Sequence, residues 1–307
     1  MTAFLIWGLF PLFWSLLGDV PAFQLLAHRA AWCAVAVGDR DTAERSYRAA
    51  ARFADHGPLA DGTPTVEVAL AAVRMLMGSH GVENVVADAE IVRQAGGPEG
   101  NPLWALATGT QGSAYAMLGQ RDRGRRRLAA AVDAAGDRPY VRAVGLAQLA
   151  LLAMHDGELD MAVELSCSAR AAADAHDLEC FAPAIAVYAI DALVAARTHR
   201  VEASGAAAAI AAAGVDRLGE LSPRTRVLTL VLLAQAAAAV GDRVEARRLV
   251  GEAKRARRRE PGASFLNAEL EELESDLGSG RDLDPTAIEA LTPAEQRVLE
   301  HLPTHLG

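Results

Sequence analysis

Aromatic residues are scarce in this sequence, and alanine supplies much of its apolar content. Aromatics make up 5% of the 307 residues, whereas hydrophobic residues together make up 51%. Alanine loses no side-chain entropy in a helix and lets neighbouring helices approach closely, so this composition predicts an all-α fold. The chain is also long enough to bury a large core.

Cysteine is scarce as well, with three residues at Cys33, Cys167 and Cys180. They are widely spaced and form no C-x-x-C pair, so neither a disulfide framework nor a zinc site is indicated. We expect buried thiols in a reducing cytoplasm. No charged start followed by a small-residue cleavage site marks a secretory signal peptide.

Basic residues are outnumbered, and the net charge of -9 argues against a general nucleic-acid binder. No nucleophile, base and orienting group stand at informative spacing, so we predict no catalytic residues and no enzyme. The G-x-x-x-x-G-K-[ST] phosphate-binding motif does not occur in the sequence. We therefore expect no nucleotide or other cofactor.

An internal repeat organises the middle of the chain. A glycine is followed by a small residue five positions on and by alanine twelve positions on, and a small residue precedes it by seven. The glycine can take the left-handed conformation that ends one helix, and the small residues fall where paired helices would cross. The clear copies are Gly38, Ala43, Ala50; Gly119, Gly124, Ala131; Gly157, Ala162, Ala169; and Gly241, Ala246, Ala253, preceded by Ala31, Gly112, Ala150 and Ala234.

Two of the intervals between these glycines are close to twice 40 residues, so each contains a weaker copy. The candidates are Met77 with Val82 and Ala89, and Thr198 with Ala203 and Ala207, both without the glycine. The repeat then predicts six helix pairs between about residues 24 and 260.

The array resembles the tetratricopeptide family. Gly112, Tyr115, Gly119 and Leu128 fall where that family places glycine, tyrosine, the turn and an apolar residue, although Gly124 stands where alanine is usual. The units exceed the roughly 34 residues typical of the family. Longer repeats of this sort are similar to the effector-sensing domain of LuxR-type transcriptional regulators of the MalT-like group. The fold implied is a superhelical array of antiparallel helix pairs over residues 24–277.

A linker, 278–290, leads to a capped amphipathic segment, 291–307. Thr292 can cap a helix, with Pro293 in its first turn and Glu295 completing a capping box. The run LTPAEQRVLEHL resembles the first helix of a LuxR-type helix-turn-helix. The recognition helix that would enter the major groove is missing from this sequence, so we expect no specific operator binding by these 307 residues.

The first residues form a separate hydrophobic segment, 1–23. Its apolar run over residues 3–17 would span about 22 Å as a helix, less than a membrane core. Residues 3–32 resemble the N-terminus of RarD-branch EamA-type transporters. Three interpretations stay open: a helix that caps the array, a short membrane anchor, or a junction of two unrelated genes.

Two further kinds of candidate site are weighed against simpler explanations. His301 and His305 are four residues apart, but Pro303 lies between them and no third metal ligand is evident, so we predict no metal site. Two basic clusters lack interleaved aromatics that could stack on bases and are predicted to be solvated helix faces. They are Arg121, Arg123, Arg125, Arg126 and Arg127, and Lys254, Arg255, Arg257, Arg258 and Arg259.

The leading hypothesis is the effector- or partner-binding array of a LuxR-type transcriptional regulator with an incomplete DNA-binding domain. A small inducer or a regulatory protein would bind the concave face of the array. The alternatives are a fragment or fusion product of a RarD/EamA-type transporter, associated with a membrane through residues 3–17, and an interaction scaffold with no regulatory role.

Overall fold

The computed structural model describes residues 30–35, 39–52, 62–78, 81–218, 222–258 and 263–279. Within these ranges the regular structure is helical, so the predicted all-α array of antiparallel helix pairs is confirmed. The hydrophobic segment 1–23, the Gly38 turn, the linker beyond Ser279 and the 291–307 segment lie outside the described residues. The helices are α1 Arg40–Ala51, α2 Val66–Met77, α3 Val82–Gln94, α4 Trp104–Met117, α5 Arg121–Asp133, α6 Pro139–His155, α7 Leu159–Asp174, α8 Ile185–Arg197, α9 Val201–Leu218, α10 Pro223–Ala239, α11 Arg243–Arg257 and α12 Ser264–Ser279.

The helices pack in pairs, with α4 against α5, α6 against α7, α8 against α9, and α10 against α11. We call the first helix of each of these pairs the inner helix and the second the outer helix. Inner helices are buried on nearly every side; in α8 every residue from Ile185 to Ala196 is buried. Outer helices bury one stripe, such as Gly124, Leu128 and Ala131 in α5. The array therefore has an apolar inner layer and an amphipathic outer layer.

The turns between paired helices share one geometry. Gly119, Gly157 and Gly241 have φ angles of 74°, 79° and 87°, in the left-handed region that favours glycine. The amide that follows each glycine donates to the carbonyl five residues earlier, for example Gln120 N to Tyr115 O at 2.8 Å. This bond is the Schellman closure of a helix C-terminus, and it explains why the glycines recur.

In both weaker repeat copies the left-handed turn residue lies one position later than predicted. His199, with a φ of 57°, occupies the left-handed position between α8 and α9, and the Arg200 amide donates to Ala195 O at 2.8 Å. The predicted turn residue Thr198 instead donates its hydroxyl to Val194 O. The small positions of this copy are Ser204 and Ala211, both buried, rather than Ala203, which is exposed, and Ala207. The glycine pattern does not reveal this turn because histidine occupies its left-handed position.

In the earlier copy the left-handed residue is Gly78, with a φ of 59°, rather than Met77. Val82 and Ala89 are both fully buried, as the repeat predicts. The corrected turn positions 119, 157, 199 and 241 are thus separated by 38, 42 and 42 residues. Units of about 40 residues are present without interruption from α4 to α11.

We expect the substitution His199→Gly to raise the free energy of unfolding by about 1 kcal/mol, because a left-handed backbone costs an L-residue roughly that much. The side chain of His199 is exposed, so little packing is lost. Urea denaturation would measure the change. The neighbouring substitution Thr198→Gly, at a φ of -105°, should lower stability instead. If both substitutions lowered stability equally, His199 would not be under backbone strain.

A buried arginine joins two helices that are far apart in the chain. Arg224, at the start of α10, is 6% exposed, and its Nη1 donates to the Met75 carbonyl at 2.7 Å, in the last turn of α2. A cation is favoured there because the C-terminal carbonyls of a helix carry partial negative charge. The same guanidinium lies 3.2 Å from the position that a Cβ on Gly78 would take. This contact therefore ties the start of α10 to the C-terminal end of α2.

The cysteines differ from the prediction. Cys33, Cys167 and Cys180 are all exposed free thiols, so the expectation of buried thiols was wrong. Cys167 lies on the solvent side of outer helix α7, where its thiol is 3.9 Å from Nη1 of Arg200. A helical sequence pattern places a residue on a helix but does not show which side of an outer helix faces a neighbour.

Candidate functional site

Helix α12 lies across one end of the inner layer, against α10, α11 and α4. It buries a stripe of leucines at helical spacing: Leu266, Leu270, Leu273 and Leu277. Five of its other positions are acidic: Glu269, Glu271, Glu272, Glu274 and Asp276. The helix thus closes part of the core with one face and presents carboxylates with the other.

His155, the last residue of inner helix α6, lies beneath the start of α12. Its ring meets the ring of Phe265 edge to face, with centroids 5.1 Å apart, and its Nδ1 is 4.0 Å from Oε1 of Glu269. Gln235 Nε2 donates to Oε2 of the same carboxylate at 2.6 Å. Burial lowers the pKa of His155, and the charge of Glu269 opposes that effect. Three helices therefore meet at Glu269 through polar side chains.

The far end of α12 is held by two arginines of outer helix α11. Arg243 Nη2 donates to the carbonyls of Leu277 and Asp276 at 3.1 and 3.4 Å, and Arg247 Nη2 donates to Leu277 O at 3.2 Å. Cations favour the C-terminal carbonyls of a helix for the same reason as at α2. Both ends of α12 are therefore attached by polar contacts in addition to the leucine stripe.

A cleft of about 630 Å³ opens between these two attachments. Its volume is in the range of small-molecule binding sites, and its lining is more polar than that of most such sites. Arg197, at the end of α8, and Glu272, on α12, line it. Neither side chain has a hydrogen-bond or ion-pair partner among the described residues. The full lining is Met154, His155, Leu159, Arg197, Gln235, Ala238, Ala239, Arg243, Glu269, Glu272, Leu273, Asp276 and Leu277. We call this the α12 cleft.

The second basic cluster lies on α11, beside α12. Lys254 Nζ is 2.6 Å from Oε1 of Glu274, and Arg257 Nη1 is 3.2 Å from Oε1 of Glu271. These contacts are exposed ion pairs between neighbouring helices, worth little individually. Lys254 and Arg257 of this cluster are therefore paired with α12, and Arg255 and Arg258 have no ion-pair partner among the described residues. Arg259 lies outside the described residues.

The first basic cluster divides between two sides of α5. Arg121 and Arg125 face Asp156, in the turn between α6 and α7, and the Arg121 guanidinium also lies 5.5 Å from the centre of the Phe265 ring. Arg123, Arg126 and Arg127 point to another side, where they line a separate hollow. Sequence spacing alone did not show this division.

His301 and His305 lie outside the described residues. Within the described ranges, no group of three histidine, cysteine, aspartate or glutamate side chains is placed to hold a metal ion. The same ranges contain no helix that is both long enough and apolar enough to cross a bilayer.

Sequence reasoning missed the α12 cleft because its lining comes from distant segments. In the sequence His155 is one of several scattered histidines near helix ends, and α12 falls within the array without a repeat unit of its own. One signal was available: leucines at 266, 270, 273 and 277 with glutamates between them mark an amphipathic helix after the last repeat. The partner that this helix covers could not be inferred.

The chain has limited similarity to known proteins. No known protein family has a sequence model that matches the chain. The chain is 55% identical over 31 residues to the uncharacterized transporter YojE of Bacillus subtilis (strain 168), a stretch that covers 10% of each protein. The chain thus spans about a tenth of that relative's length. It is also similar to the structure of BtubC (BKLC) from P. vanneervenii, at 17% identity and a TM-score of 0.40, over 77% of this chain and 91% of that one.

Proposed function

We propose that the array is a sensor domain that binds a zwitterionic small molecule in the α12 cleft. The observation that carries this proposal is that Arg197 of α8 and Glu272 of α12 both line the cleft and that neither side chain has a hydrogen-bond or ion-pair partner among the described residues. A carboxylate can accept from the guanidinium in a bidentate manner, and an ammonium can donate to the opposite carboxylate. The ligand would replace solvent in a cleft whose remaining polar groups already contact one another.

The proposal narrows the location of the effector site. A concave inducer surface was expected from the resemblance to MalT-like regulators, but the inner helices are buried along most of their length. Among the hollows of the described residues, the α12 cleft combines sufficient volume with charges of both signs. It therefore offers an inducer more polar contacts than the inner helices do.

Binding in the cleft would act on α12. A ligand between Arg197 and Glu272 bridges the array and α12, so it favours one position of that helix. The chain after α12 continues into the segment that resembles the first helix of a LuxR-type helix-turn-helix. We propose that α12 transmits the bound state to this segment, in a transcriptional regulator that works in the cytoplasm.

The binding proposal is testable with the twenty amino acids and a set of dipeptides as probes. We expect at least one to raise the melting temperature by about 5 °C or more at a hundredfold excess over its dissociation constant, from the stabilisation that such an excess supplies. Arg197→Gln and Glu272→Gln should each remove most of that shift. Thermal denaturation followed by circular dichroism measures it, and calorimetric titration gives the affinity.

Matched controls exist on other helices. Arg142→Gln and Glu83→Gln make the same changes of charge at exposed positions of α6 and α3 that do not line the cleft. Both control variants should keep the full ligand-induced rise in melting temperature. A ligand whose shift is unchanged by the two cleft substitutions binds elsewhere, and absence of binding by every zwitterionic probe would contradict the proposed ligand class.

A further inference from the structure

A second hollow, separate from the α12 cleft, lies between α4 and α5. It has a volume of about 280 Å³ and is lined by Tyr115, Arg123, Arg126 and Arg127. No carboxylate of the described residues lines it, although the chain as a whole carries a net charge of -9. We call it the arginine hollow. Positive charge is therefore concentrated there against the overall composition.

The three guanidiniums differ in how they are held. Arg123 donates from Nη1 to Oε1 of Gln120 at 3.0 Å, and its guanidinium lies over the Tyr115 ring, 5.5 Å from its centre. Among the described residues, Arg126 and Arg127 make no hydrogen bond or ion pair through their side chains. Two cations beside the hollow are thus available to a ligand.

The position of these cations costs stability in the free protein. Helix α5 begins at Arg121, so Arg123 lies in its first turn, where the helix dipole disfavours positive charge. Arg126 and Arg127 follow Arg123 by three and four residues, the spacings at which like charges on a helix repel one another. In contrast, the basic cluster of α11 lies in its last turns, where the dipole favours it and the carboxylates of α12 pair with it. Ion pairing therefore accounts for Lys254 and Arg257 in the second cluster and for Arg121 and Arg125 in the first, but not for Arg126 and Arg127.

We propose that the arginine hollow binds the phosphate group of a small phosphomonoester. Three guanidiniums and a phenol hydroxyl match the several oxygens and the double negative charge of a phosphate. A single carboxylate would leave part of that positive charge unpaired. The volume admits the phosphate with a group of about sugar size, and the ring of Tyr115 supplies an apolar surface beside it. This site is independent of the α12 cleft and of the ligand proposed there.

The test is calorimetric titration of the whole chain with inorganic phosphate and with ribose 5-phosphate, in buffers of equal ionic strength. We expect both to bind, the ester more tightly. The double substitution Arg126→Gln with Arg127→Gln should weaken binding about tenfold or more, since each guanidinium provides charge-assisted hydrogen bonds. Without phosphate the doubly substituted protein should melt at the same or a higher temperature, because repulsion near the N-terminus of α5 is relieved.

The matched control is the double substitution Arg121→Gln with Arg125→Gln, which removes the same two positive charges from the same helix at side chains that face Asp156. It should leave the affinity for ribose 5-phosphate within about twofold, an effect expected only from the general field. Equal weakening by the Arg121→Gln, Arg125→Gln variant would overturn the proposal in favour of non-specific attraction. A mixed-sequence single-stranded oligonucleotide that binds more tightly than ribose 5-phosphate would also overturn it, in favour of a nucleic-acid surface.

Discussion

Replacing Gly112 by alanine will lower the free energy of unfolding by about 3 kcal/mol, the upper part of the usual range for overpacking. A Cβ at this position of α4 would stand 2.8 Å from Leu128 Cγ, 2.9 Å from Leu128 N and 3.0 Å from Gly124 O. Two of these atoms belong to the backbone of α5, so the contact is relieved only by moving one helix away from the other. Alanine favours an isolated helix by about 1 kcal/mol, which the clash outweighs.

Urea denaturation of the variant and of the unchanged protein gives this difference directly. Gly205→Ala is the control, because Gly205 also lies within a helix but has no atom of a neighbouring element within 4 Å of the position that a Cβ would take. That variant should gain up to about 1 kcal/mol from helix propensity. If Gly112→Ala were as stable as Gly205→Ala, the close crossing of α4 and α5 would not exist in solution.

Replacing Arg224 by methionine will cost about 3 kcal/mol of stability and will loosen α2 in particular. Methionine fills much of the same volume but leaves the Met75 carbonyl without its 2.7 Å donor in a buried position. An unpaired buried carbonyl costs about 1–3 kcal/mol of stability. We expect the upper end of this range because the donor that is lost carries a charge. Burial raises the pKa of the nearby Tyr140 to about 12.

Hydrogen exchange distinguishes a local effect from a general one. We expect the amides of α2 to exchange much faster in the Arg224→Met variant, whereas those of α8 change only with global stability. Arg142→Met, at an exposed position of α6, should change the amide exchange of neither α2 nor α8. Uniform acceleration across all helices in the Arg224 variant would show that the contact does not anchor α2 separately.

The turns between helices show how far local sequence patterns reach. Gly119, Gly157 and Gly241 were predicted as turns because a left-handed residue at a helix end has a strong preference for glycine. In the turn between α8 and α9 the left-handed residue is His199 rather than a glycine. The glycine pattern therefore predicted this turn one residue too early, at Thr198. The backbone strain at His199 is tolerated because the packing of the surrounding helices fixes the geometry of the turn. A local sequence pattern gives no sign of this packing.

The candidate sites show the same limit. The cluster from Arg121 to Arg127 was visible in the sequence, but its division between Asp156 and the arginine hollow depends on how α5 is rotated against α4 and α6. The α12 cleft itself had no sequence signal. Its charged walls, Arg197 and Glu272, come from α8 and α12, which are separated by three further helices in the chain.

The sequence by itself determined that the chain is helical, that its helices pair about every 40 residues, and where small residues let paired helices cross. These properties depend on contacts between residues that are near in the chain, and such contacts leave a period in the sequence. Only the tertiary structure decided that Arg224 reaches α2, that α12 closes the inner layer and forms a cleft, and that the cysteines face solvent. Those contacts join distant residues, 149 apart for Arg224 and Met75, and a contact made once leaves no period to detect.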